Sequence, residues 1–94
     1  MNITEESLAV FLAYARDAGN WSGTPLIGYG GNVAFSRETA RAQRGNITQL
    51  KQAGLIKTLV DPDRKDLSWM EFTRKGEALA AAHGIEFEEG WAVD

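Results

Sequence analysis

The sequence predicts a small α+β domain of three to four helices and a two- to three-stranded antiparallel sheet. Three observations carry that expectation. Residues 5–18 and 36–53 repeat apolar side chains at helical spacing; residues 55–60 and 67–72 are strand-like runs either side of a charged turn; and residues 74–83 form an alanine-rich stretch that opens after a threonine and closes on a glycine. A chain of 94 residues has room for one modest core. We assign residues 1–85 to a single domain and residues 86–94 to an acidic C-terminal segment.

The first helix is expected from Glu5 to Ala18. Thr4 is a suitable N-cap, Glu5 and Glu6 favour the positive helix end, and Gly19-Asn20 stops the run. Leu8, Phe11, Leu12 and Ala15 form the expected buried stripe, with Val10 and Tyr14 outside it. Residues 21–33 hold four glycines and a proline. One short edge strand fits around Pro25 to Ile27, because proline donates no ladder hydrogen bond. The rest is expected as a turn-forming loop: it lacks both GxGxxG and GxxxxGK[ST], so a phosphate cradle is disfavoured.

Ser36 is the expected N-cap of a helix that ends before Gly54. On this segment Ala40, Ile47 and Leu50 project to one side, while Arg37, Arg41, Arg44, Thr48 and Lys51 fall within an arc of roughly 80° on another. One unbroken helix explains both stripes. The alternative divides it at Gly45, with Asn46 and Gln49 forming a capping box for a second, shorter helix. Beyond Gly54, residues 55–60 and 67–72 pair as a hairpin around Asp61-Pro62-Asp63-Arg64-Lys65-Asp66, with Met70 and Phe72 facing inward and Trp69 outward. Thr73 caps the last helix, and Gly84 ends it in a left-handed conformation with Ile85 beyond. In the acidic segment, Phe87 and Trp91 favour partial docking.

Composition narrows the chemistry. The chain has no cysteine and a single histidine, His83, which is better placed to meet a helix dipole than a metal. No cofactor or metal site is expected. Nor does any nucleophile or carboxylate pair stand with a supporting base, so the chain is not expected to be an enzyme. The longest apolar run, Leu8 to Ala15, is far short of the roughly 20 residues that span a bilayer. With an acidic N-terminus unlike a signal peptide, the expected location is the cytoplasm.

The net charge is −3, but its distribution says more. Residues 36–57 carry Arg37, Arg41, Arg44, Lys51 and Lys57 against Glu38 alone, whereas both flanking segments are acidic. Concentrating the positive charge on one helix is the electrostatic signature of a polyanion-binding element. A solvated face that only aids solubility is the plain alternative.

Asn46-Ile-Thr-Gln-Leu-Lys-Gln-Ala-Gly-Leu-Ile56, then Asp61-Pro-Asp-Arg-Lys65, then Phe72-Thr-Arg-Lys-Gly76, resemble in order and spacing the winged helix-turn-helix regulators of the MarR type. They are also similar to small stand-alone winged-helix proteins of phages and mobile elements. The resemblance covers about residues 36–83. One feature departs from it: those families place a well-formed helix before the recognition helix, where this chain has the glycine-rich segment. The resemblance implies a winged helix-turn-helix fold whose helix 36–53 reads double-stranded DNA in transcription regulation. The implied contacts are Arg37, Arg41, Gln43, Arg44, Asn46, Thr48 and Lys51 on the helix. Guanidinium forks suit guanine edges or phosphates, and amides suit adenine. Gln49 offers the same amide chemistry. Arg64 and Lys65 would meet a backbone from the wing tip, where Asp61, Asp63 and Asp66 oppose phosphate.

A protein-interaction winged helix is the alternative function. A homodimer is also expected, through Val10 and Tyr14 or through Trp69 or Trp91, because the first helix is apolar over more than one face.

Overall fold

The computed structural model describes residues 3–27, 37–64 and 67–94, with side chains from residue 44 onward in the middle segment. The glycine-rich segment 28–33, the Ser36 cap, Lys65 and Asp66 therefore lie outside the described residues. The architecture is α+β: α1 (Glu5–Asp17), a short 3₁₀ turn (Ala18–Asn20), α2 (Arg37–Gln52), β1 (Ile56–Val60), β2 (Ser68–Phe72) and α3 (Arg74–Ala82). β1 and β2 pair antiparallel, with Ile56 opposite Phe72 and Val60 opposite Ser68. Among the described residues, no helix is long and apolar enough to cross a membrane.

α1 begins as its sequence dictates. The Thr4 hydroxyl accepts the Ser7 amide at 3.1 Å, and Glu5 and Glu6 occupy the first turn. Its buried face, however, is rotated from the expected one. Ser7, Val10, Phe11, Tyr14, Ala15 and Ala18 are buried, whereas Leu8 and Leu12 are only half-buried. The observed stripe keeps strict 3.6-residue periodicity but admits a serine and a tyrosine, which hydrophobicity alone passes over. Ser7 tolerates burial because it hydrogen-bonds both Thr4 and Asn46. Val10 and Tyr14 are thus core residues, 8% and 0% exposed, and cannot form the dimer face expected of them. Asp17 is buried as well; Asn20 Nδ2 donates to its Oδ1 at 2.8 Å, while Oδ2 meets no donor among the described residues.

After α1, Ser22 and Gly23 both take positive φ and turn the chain toward the sheet. Leu26 bridges Trp69, the Pro25 carbonyl accepts the Met70 amide at 2.9 Å, and the Ile27 amide donates to Ser68 O at 2.8 Å. The short edge segment expected at Pro25 to Ile27 is therefore present as a single antiparallel bridge on the outer side of β2, where proline's missing N–H costs nothing.

α2 runs unbroken through Gly45, which decides between the one-helix and two-helix readings. A mid-helix glycine costs about 1 kcal/mol relative to alanine. Burial of Ile47 and Leu50 on one face of the same helix outweighs that, at about 1.5–3 kcal/mol for each buried side chain. The helix ends in a Schellman turn: Gly54 has φ +76°, its amide reaches Lys51 O at 3.0 Å, and the Leu55 amide reaches Leu50 O at 3.1 Å. α3 ends the same way, with Gly84 and Ile85 donating to Ala81 O and Ala80 O.

The hairpin faces the core as expected. Met70 and Phe72 are fully buried, and Phe72 meets Phe11 edge-on with ring centroids 5.6 Å apart. Trp69 lies half-buried on the outer face against Trp21, at 5.7 Å. At the turn, Asp61 Oδ1 accepts the amides of Asp63 and Arg64, an Asx-type closure.

Residues 86–94 fold back over the core. Phe87 packs on Phe72 at 4.9 Å and on Trp91 at 5.9 Å, and Trp91 sits directly over Gly23, where any Cβ would collide with its ring. The backbone joins in: Val93 N donates to Phe72 O at 2.8 Å, and Arg74 N to Val93 O at 3.2 Å. Arg74 and Asp94 pair at 2.7 Å on the surface, an exposed contact of small energetic weight.

Two stability predictions follow from the core. Phe72→Ala should lower unfolding free energy by about 3–5 kcal/mol. Gly76→Ala should cost about 1–3 kcal/mol, because a Cβ there would overlap the Leu55 carbonyl oxygen. Urea denaturation of both variants is the measurement; parent-like midpoints would contradict the packing described.

Candidate nucleic-acid interface

α2 separates two chemistries by helical geometry. Ile47 and Leu50 are buried, whereas Arg44, Gly45, Thr48, Lys51 and Gln52 are exposed. Arg44, Thr48 and Lys51 are spaced four and three apart, so they share one face. The structure therefore brings together the described members of the expected basic stripe and turns them outward. The Thr48 hydroxyl donates back to Arg44 O at 2.9 Å, which orients it while leaving its oxygen able to accept. Arg37, Arg41 and Gln43 belong to the same helix, but their side chains lie outside the described residues.

Asn46 has a different position. It is half-buried and its Oδ1 accepts the Ser7 hydroxyl at 3.0 Å, so it faces α1 rather than the Arg44 side. Gln49 is similarly engaged: its Oε1 accepts the Thr4 amide at 2.8 Å. Both amides, expected to contact bases, tie α1 to α2. For Asn46 the geometric signal was available, since at 100° per residue it falls beside Leu50 and away from Arg44; Gln49 projects to neither the apolar side nor the basic one, and only the fold shows its partner.

Arg64 is exposed at the hairpin tip, on an element separate from α2; its neighbour Lys65 is outside the described residues. The Asp61 carboxylate beside it is partly satisfied by backbone amides, so this acid is built into the turn. Two further cations serve the scaffold. Lys75 Nζ donates to Ala53 O at 3.0 Å, and Lys57 Nζ donates to the Asp94 carbonyl. Among the described residues no group of three His, Asp or Glu side chains could hold a metal ion.

What this arrangement can do chemically is limited and clear. It presents a convex, cationic helix face with a hydroxyl between two charges, suited to phosphate oxygens or base edges and unsuited to enclosing a small substrate. Comparison of the chain with protein-family models, curated proteins and solved structures gives no match.

The division of labour on α2 predicts opposite outcomes for neighbouring substitutions. Asn46→Ala strands the buried Ser7 hydroxyl and should lower stability by about 1–3 kcal/mol. Thr48→Ala should stay within about 0.5 kcal/mol. Chemical denaturation of the pair checks this, and equal effects would dissolve the distinction.

Proposed function

We propose that this chain is a winged-helix protein that binds double-stranded DNA through α2, in the service of transcription regulation. The observation that carries the reading is the outward face of α2, where Arg44, Thr48 and Lys51 stand exposed opposite the core-facing Ile47 and Leu50. The order of elements supports it. A helix, a short segment paired with β2, the basic helix, a hairpin and a closing helix are compatible with a winged helix-turn-helix. In this reading α2 lies in a major groove, with Arg44 and Lys51 on phosphates or guanine edges. Arg37 and Arg41 extend the same stripe, and Arg64 of the hairpin meets the adjacent backbone.

A second reading has one specific observation behind it. Leu59 is 46% exposed and lies opposite the half-buried Trp69 on the outer hairpin face. An apolar surface of this kind suits a protein partner.

The two readings separate in one titration. A labelled random-sequence duplex, followed by fluorescence anisotropy at low and moderate salt, should bind with an affinity that falls steeply as salt rises. Replacing Arg44 and Lys51 together by alanine should reduce the salt slope by roughly two units, since each lost phosphate contact removes about one. The melting temperature should stay close to the parent's. A double variant that binds as the parent does would exclude α2 as the reading element.

A further inference from the structure

Five of the described glycines have an evident structural reason. Gly54 and Gly84 supply the positive φ that ends a helix, and Gly90 takes positive φ in the C-terminal segment; Gly23 combines positive φ with contact against Trp91, and Gly76 is pressed against Leu55. Gly45 has none of these. It sits in the interior of α2 with helical backbone, it is exposed, and a Cβ added there would meet nothing within 4 Å among the described residues. Against those residues an alanine would fit without strain and would favour the helix.

The position of Gly45 on the helix gives the missing reason. It lies at the rim of the exposed face, directly after Arg44, one turn before Thr48 and two turns before Gln52. A glycine at such a place lets another molecule approach the helix backbone closely. We infer that Gly45 is the point of closest approach between α2 and bound duplex DNA. The absent side chain lets the sugar–phosphate backbone settle against the helix, so that Arg44 and Thr48 reach phosphate oxygens that a longer residue at 45 would hold away. This inference rests on the DNA-binding reading of α2 and adds to it a contact that no charge count reveals. It also accounts for a weak helix former at a position where no described residue touches it.

The test uses Gly45→Ala and Gly45→Gln in the full chain, with thermal melts and the same random duplex. The alanine variant should melt higher, by about 4–8 °C, if the full helix-propensity gain is realised. Yet it should bind the duplex about 3–10-fold more weakly, and the longer, uncharged glutamine should bind more weakly still. The salt slope should change by less than the roughly one unit that a lost cation produces. Binding as tight as the parent's by both variants would overturn the inference, as would an alanine variant that fails to melt higher, because glycine would then serve the fold. The Arg44/Lys51 double variant separates the two levels. If it loses binding while both glycine variants keep it, only the close approach is wrong. If it binds as the parent does, or the parent binds no duplex, the reading of α2 fails and the inference with it.

Discussion

Everything in this small domain is arranged around the carbonyl groups of Ala53, Gly54 and Leu55. As α2 ends, these three oxygens have left the helical ladder and need donors. Lys75 Nζ takes the first, the Thr73 hydroxyl the second at 2.6 Å, and the Thr73 amide the third at 3.1 Å. Thr73 uses its hydroxyl twice, because the same oxygen accepts the Gly76 amide and caps α3. The C-terminus of α2 and the N-terminus of α3 thus share a single junction. It can close only because Gly76 has no side chain to interpose. The fully buried Leu55 anchors that junction in the core and sets the angle at which the hairpin leaves it.

The helix ends that meet at that junction were legible in the sequence for a simple reason, though their meeting was not. Caps, left-handed glycines and alternating strands are local signals, decided by residues within one turn of each other. Thr4, Thr73, Gly54 and Gly84 all behave as their types and positions require. The inward register of Met70 and Phe72 followed from strand alternation. The face of α1 was not legible, because its stripe runs through Ser7 and Tyr14, and polar atoms are admitted to a core only when a distant partner exists. Ser7 needs Asn46, on another helix, and no local pattern announces that pairing. The acidic segment was legible only in outline: Phe87 and Trp91 pointed to docking, but with Val93 they are too scattered to form a period that says where each lands on the earlier elements.

The same non-local logic redistributes the polar residues of α2. Asn46 and Gln49 have the chemistry of base readers, but their hydrogen bonds to Ser7 and Thr4 commit them to α1. Arg44 and Lys51 are left outward because no acid of the described residues is paired with them. The two faces thus impose different demands on one helix. Its inner face is fixed by packing with α1 and β1, whereas its outer face is free to be chosen for a partner. Residues that stabilise the fold and residues proposed to meet DNA sit within a single turn of each other.

The packing of Trp91 over Gly23 has a spectroscopic consequence. The chain holds three tryptophans, and all of them gather near the turn at residues 21–23: Trp21 is part of it, Trp69 stacks edge-on against Trp21, and Trp91 covers Gly23. α2 contains no aromatic residue. Intrinsic fluorescence and near-ultraviolet dichroism therefore observe one corner of the molecule, where segments far apart in sequence meet. The tryptophan signal accordingly reports the joining of the residue 21–23 turn with the hairpin and the C-terminal segment. Helix formation in α2 is silent in that signal and is followed through the peptide bands instead.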